Sequence, residues 1–96
     1  MNATRALALS VIKSLTARGE TVAVAESLTG GGLGHAITQI PGSSLVFKGG
    51  IIAYTIDAKK EFLDVPQSLI DQFTVVSEEV ANAMADGARE KFGTTW

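Results

Sequence analysis

The passage from residue 21 to residue 32 constrains the fold more than any other part of the chain. Thr21-Val22-Ala23-Val24-Ala25 is a short apolar run rich in β-branched residues, with the length and composition of a buried strand. Glu26-Ser27-Leu28-Thr29 and three consecutive glycines, Gly30, Gly31 and Gly32, follow at once. Leu33 to Ile40 then reads as a helix stopped by Pro41-Gly42. A strand, a glycine-rich turn and a helix in that order belong to an α/β chain.

The flanking segments extend this pattern. From Ala3 to Arg18 the residues Leu7, Val11 and Leu15 recur at four-residue spacing with Ala8 and Ile12 beside them, and Gly19 stands where a helix ends. Ser43 to Lys48 reads as connection, Gly49-Gly50 as a bend or a close backbone approach, and Ile51 to Thr55 as a second strand. Helices are expected over Asp57 to Leu63, from Pro66 to Phe73, and from a Ser77 cap with Glu78 and Glu79 to about Lys91. The last of these presents Val80, Met84 and Ala88 as its buried side, with Ala81 and Ala85 adjoining. Thr94-Thr95-Trp96 reads as the opening of a strand. The expected architecture is a layered α/β/α sheet. Two strands and a stub are too narrow to cover three or four helices, so residues 1–96 are read as the N-terminal portion of one larger domain.

Composition narrows the chemistry. An apolar content of 46% against 19% charged residues excludes disorder, and the absence of cysteine excludes disulfides, thiolate metal sites and a cysteine nucleophile. That usage fits a cytoplasmic protein. The formal charge of −2 is distributed in mixed signs without a basic block, so no nucleic-acid partner is expected. The first segment has neither the length of a membrane span nor a signal-peptide cleavage site, so no membrane partner is expected either.

Unpaired N–H groups at a helix start, with glycines that let a ligand approach, suit an anion or a developing oxyanion at residues 26–32. The plainer alternative is that Ser27 or Thr29 caps the helix and the glycines permit a sharp turn. A P-loop would need Gly-Lys-Ser/Thr, and the dinucleotide fingerprint starting at Gly30 fails at His35. Nor does the Ala25 to Thr29 segment match the G-x-S-x-G elbow. A serine here needs a base to become a nucleophile. His35 lies within the expected helix, two turns on, and reads as an ordinary helix residue. Lys59 and Lys60 both follow the second strand and satisfy the spacing equally. If the strands are parallel, either would reach the sheet end that carries Ser27, where burial lowers a lysine's pKa.

Several segments in order resemble the CinA C-terminal domain family. They are Ala25-Glu26-Ser27-Leu28-Thr29-Gly30-Gly31, Pro41-Gly42-Ser43-Ser44 with Phe47 and Gly49-Gly50, Ala53-Tyr54 with Lys59 five residues on, and Val76-Ser77-Glu78-Glu79-Val80. The resemblance implies a nicotinamide-nucleotide amidase, which converts nicotinamide mononucleotide and water to nicotinate mononucleotide and ammonia. Some members of the family are instead called competence- or damage-inducible proteins. It implies Ser27 as nucleophile, Lys59 rather than Lys60 as its base, and Tyr54 as a hydroxyl that relays or orients the proton. Thr29, Gly30 and Gly31 would supply backbone donors near the reacting carbonyl or the substrate phosphate, and Ser43 and Ser44 would be ligand contacts. No metal or organic cofactor is implied, and the expected partners are a pyridine-nucleotide substrate and further copies of the chain. Two departures stand out. Thr55-Ile56 replaces the Ser-Asn common after the tyrosine, which removes a polar contact, and a later glycine-rich Gly-Ile-Ala-Gly-Pro-type loop lies beyond the resemblance. The alternative is a nucleotide-binding or regulatory module without a complete active site.

Overall fold

A computed structural model of the chain describes residues 2–96. Helix α1 (Ala3–Arg18) starts where the Asn2 side chain accepts the Arg5 N–H at 2.8 Å and ends at Gly19, whose φ of 65° is the left-handed cap a glycine adopts freely. Strand β1 (Val22–Glu26) leads through the glycine turn into α2 (Gly32–Thr38), and a 3₁₀ turn (Ser43–Leu45) precedes β2 (Phe47–Ile52). Helices α3 (Ile56–Leu63), α4 (Gln67–Phe73) and α5 (Glu78–Phe92) follow.

The strands pair in parallel, from Val22 opposite Phe47 to Glu26 opposite Ile52, with a register shift between Val22 and Ala23 that accommodates Lys48. Residues alternate across this narrow sheet. Val22, Val24 and Phe47 pack with Ala8, Ile12 and Leu15 of α1 and Ile37 of α2. Ala25 and Ile51 face the opposite layer, where Leu63, Ile70, Val80 and Met84 bring α3, α4 and α5 together. The result is an α/β/α arrangement with one core on each side of the sheet.

Four expectations need correction. The second strand begins at Phe47 rather than Ile51 and takes Gly49-Gly50 into its ladder, because both positions are closely approached. A Cβ at Gly50 would stand 2.5 Å from Val24 Cγ2, and one at Gly49 would stand 2.8 Å from Phe92 Cε1. On α1 the buried stripe is Ala8, Ile12 and Leu15, while Leu7 and Val11 are 68% and 47% exposed, since α1 leans on β1 and α2 through the neighbouring face. On α5 the stripe continues through Gly87 rather than Ala81 or Ala85, which are exposed. Pro66 caps α4 rather than occupying its first turn.

Candidate active site

Parallel pairing places the ends of both strands on one side of the sheet. Ser27 follows the last residue of β1, and the ladder extends one step past β2 where the Ala53 N–H donates to Glu26 O at 2.8 Å. The chain then turns at Tyr54, and Thr55 caps α3 by accepting the Ala58 N–H at 3.1 Å. One turn into α3, Lys59 points back under the strand ends. Its Nζ donates to Ser27 Oγ at 3.0 Å, to Ala53 O at 2.9 Å and to Tyr54 O at 3.1 Å. Lys60, next in sequence, is exposed.

The chemistry of this contact follows from donor counting. A protonated amine has three N–H donors, and the site offers three oxygens. A neutral amine has two N–H donors and a lone pair. The two main-chain carbonyls can only accept, so they take both donors and leave the lone pair facing the one partner that can give up a proton, Ser27 Oγ–H. Lys59 is 4% exposed, and burial away from water holds its amine below the ordinary lysine range. The arrangement is thus a hydroxyl with an aimed, desolvated base, the requirement for an activated serine.

Glu26 organises the turn beside the pair. Its carboxylate is 6% exposed and accepts from Thr29 Oγ1 at 2.8 Å, Leu33 N at 2.7 Å and Gly34 N at 3.0 Å. Burial raises its pKa, but the hydrogen bonds from Gly34, Thr29 and Leu33 lower it by more, leaving the group below the usual carboxylate value. The helix start that the sequence offers to an anion is therefore filled from within by Glu26. The Gly30 N–H is also engaged, donating to Ser27 O at 3.1 Å. Among the described residues, the Thr29 and Gly31 N–H groups have no intramolecular acceptor. Sequence reasoning missed Glu26. The available signal was an acidic residue directly before a glycine-rich helix start, where the dipole favours negative charge.

The remaining expected residues divide. Tyr54 lines the cleft but its ring is 73% exposed and its hydroxyl has no hydrogen bond among the described residues, so the part of Tyr54 that meets Lys59 is its carbonyl. Ser43, buried, and Ser44, exposed, lie before β2, at the opposite end of the parallel sheet from Ser27. The strand rise from Val22 to Ser27 puts about 16 Å between those ends. The serines therefore do not join this site within the chain. His35 is exposed on α2, as an ordinary helix residue.

A cleft of about 490 Å³ opens over Ser27 and Lys59, walled by residues of the Val75–Ser77 segment, the first turns of α5, Leu28 and Ile56. Ile56 is the residue that departs from the family pattern, and here it supplies apolar wall.

Comparison with known proteins agrees with this architecture. The CinA-like protein of Parasynechococcus marenigrum (strain WH8102) is 52% identical over 90 residues, which are 94% of this chain and 22% of that protein. The CinA-like protein of Gloeothece citriformis (strain PCC 7424) is 58% identical over 77 residues, 80% of this chain and 18% of that protein. The chain thus spans about a fifth of the length of the curated relatives it matches. Among solved structures, the competence/damage inducible protein CihA from Agrobacterium tumefaciens superposes with a TM-score of 0.93 at 37% identity, covering 98% of this chain and 57% of that one. A competence-damaged protein (CinA) superfamily protein from Escherichia coli gives 0.93 at 30% identity, covering 96% and 54%. The family model described as the CinA C-terminal domain matches residues 4–96, and the chain belongs to that family.

Proposed function

We propose that this domain is an amidohydrolase in which Ser27 attacks a carboxamide and Lys59 manages the protons, with nicotinamide mononucleotide as the substrate. The observation that carries the reading is the 3.0 Å contact between Lys59 Nζ and Ser27 Oγ, with the amine's other two donors held by carbonyls. Ser27 Oγ bonds to the carboxamide carbon as its proton passes to Lys59. The C–N bond then breaks as Lys59 hands a proton to the leaving nitrogen, which departs as ammonia. Water adds to the acyl-enzyme with Lys59 again as base, releasing the carboxylic acid and restoring Ser27 Oγ–H. The Thr29 and Gly31 N–H groups are the available donors for the oxyanion, and loss of such a donor typically costs about 10²–10³ in rate.

The test is ammonia release from nicotinamide mononucleotide. Ser27→Ala should abolish turnover while ligand affinity stays within a few-fold. Lys59→Arg should be nearly as damaging, since a guanidinium keeps its proton, and Lys60→Arg should not. In the parent protein kcat/KM should rise with pH as Lys59 loses its proton, and level off below the ordinary lysine pKa of about 10.4. Full turnover by Ser27→Ala, or a flat pH profile, would remove the assignment. A second reading, a nucleotide-binding or regulatory module without turnover, draws on the unpaired Thr29 and Gly31 N–H groups, which can hold an anion without chemistry at Ser27. Calorimetric binding of the mononucleotide without ammonia release would favour it.

A further inference from the structure

We infer that Glu26 is a positioning residue for hydrolysis: its buried carboxylate fixes the glycine turn in a conformation that leaves the Thr29 and Gly31 N–H groups free for the oxyanion on the carbon that Ser27 attacks. This rests on the serine–lysine reading and adds to it a residue that touches neither the substrate nor the reacting atoms.

Little else holds the turn. Between Thr29 and Leu33 the chain runs through Gly30, Gly31 and Gly32, the first two at φ of 61° and 107°. A glycine backbone left to itself visits many conformations. Within the turn the Gly30 N–H donates to Ser27 O and the Gly32 N–H to Thr29 O, both at 3.1 Å. The N–H groups of Thr29 and Gly31 alternate with these and have no acceptor among the described residues. Which N–H groups are free therefore depends on the turn keeping its shape.

Glu26 fixes that shape from a rigid base. Its main chain belongs to the sheet, opposite Ile52 in the ladder, and its carbonyl accepts the Ala53 N–H at 2.8 Å. Its carboxylate grips both ends of the glycine run. Oε1 accepts Thr29 Oγ1–H at 2.8 Å and the Leu33 N–H at 2.7 Å, and Oε2 accepts the Gly34 N–H at 3.0 Å. Gly34 leaves room for this approach, since an added Cβ there would stand 3.3 Å from Glu26 Oε2. Hydrogen bonds to an ionised acceptor are roughly twice as strong as neutral ones. The same three bonds disperse the carboxylate's charge and remove the Leu33 and Gly34 N–H groups from competition, so that Thr29 and Gly31 are left as donors. An oxyanion is stabilised by donors that are in place before its charge develops. Without the carboxylate the two donors would spread over many orientations, which raises the barrier and leaves ground-state binding nearly untouched.

The test reads kcat, KM and the affinity of an oxyanion mimic in Glu26→Gln, Thr29→Val and Thr29→Ser. Thr29→Val removes one donor from the carboxylate at an exposed position and leaves the bonds from Leu33 and Gly34, so it reports even where Glu26→Gln fails to fold. The mimic is 3-(trifluoroacetyl)pyridine. Ser27 Oγ bonds to its carbonyl carbon as the hydroxyl proton passes to Lys59, the carbonyl π pair becomes the oxyanion, and no group leaves. Fluorine NMR reads the adduct, with Ser27→Ala as control.

In folded Glu26→Gln, ammonia release from nicotinamide mononucleotide should show kcat lowered roughly ten- to a hundredfold with KM within about threefold, and affinity for the mimic should fall by a similar factor. Thr29→Val should show a smaller loss in the same two quantities, and Thr29→Ser should recover it. The pH midpoint of kcat/KM should stay where the parent has it, since burial sets the Lys59 pKa. An unchanged kcat in Glu26→Gln, or in Thr29→Val where the first variant does not fold, would overturn the inference and leave the serine–lysine pair intact. So would a loss confined to KM, a moved pH midpoint, or a fall in kcat without a fall in mimic affinity. A parent protein that neither releases ammonia nor adds the mimic at Ser27 would remove the pair and the inference together.

Discussion

Lys59 and Glu26 are both buried, both titratable and both shifted to lower pKa, for different reasons. Burial alone depresses the lysine, so between its folded and unfolded pKa values the unfolded chain binds the extra proton and stability rises with pH. The glutamate is depressed because its hydrogen bonds outweigh its burial. Its contribution is therefore present above the unfolded carboxylate pKa and is lost as pH falls through the lower folded value. Glu26→Gln isolates that contribution. The Gln amide N–H₂ would face either the Gly34 N–H or the pair formed by Thr29 Oγ1 and Leu33 N, a donor against a donor. The variant should be destabilised by about 1–3 kcal/mol at neutral pH. The deficit should shrink in acid, where the parent loses the same interaction, and urea unfolding at several pH values would measure it. A constant deficit at every pH would show that the carboxylate's charge contributes nothing.

The elements that hold the Ser27–Lys59 pair depend on a close helix contact. Gly87 of α5 lies against the end of α3, where an added Cβ would stand 2.1 Å from Leu63 O and 2.9 Å from Leu63 C. Both atoms are backbone and cannot rotate away. Gly87→Ala should destabilise the fold by about 1–3 kcal/mol through overpacking, whereas the exposed Ala85→Ser should stay within about 0.5 kcal/mol. Because α3 carries Lys59, the same change should lower turnover in the fraction that remains folded, and thermal melting alongside ammonia release would report both. This contact also marks what the sequence conceals. The helix patterns, the strand at Val22 and the cap at Ser77 follow from local rules and are legible in the chain, whereas Thr55, read as the end of a strand, caps α3. Gly49-Gly50 reads as a bend or a close backbone approach without its partners, and Gly87 as a neutral position, because their reasons, Phe92, Val24 and Leu63, are distant or depend on tertiary placement. The choice of Lys59 over Lys60 was legible in principle, since Lys59 and Leu63 are four residues apart and share the buried face of α3. Glu26 was not singled out because its backbone partners lie seven and eight residues away across a turn whose path the glycines leave free.

At the scale of the whole molecule the narrow sheet leaves strand edges open among the described residues. Beyond β1, on the edge away from β2, Trp96 N donates to Thr21 O and Ala23 N donates to Trp96 O, both at 3.0 Å, the spacing of a parallel ladder. Thr95 and Thr21 add reciprocal contacts between side chain and backbone at 3.0 and 3.1 Å. The strand opening expected at Thr94-Thr95-Trp96 is thus engaged with β1, and the edge farther along, toward Ser27, is open among the described residues. Beside it runs a groove of about 370 Å³ between α1 and α2, lined by Leu7, Val11, Val24 and Leu33. An open edge next to exposed apolar side chains favours association. Sedimentation should therefore show the 96-residue chain associating as its concentration rises. Joining to Trp96 the part of the Agrobacterium tumefaciens structure outside the matched 57% should extend the ladder and cover Leu7 and Leu33. That chimera should melt at a higher temperature, sediment as a smaller species at equal concentration, and release ammonia faster. A 96-residue chain that stays monomeric, melts cooperatively and matches the chimera in turnover would show that the open edge and its groove carry no cost to the fold or the site.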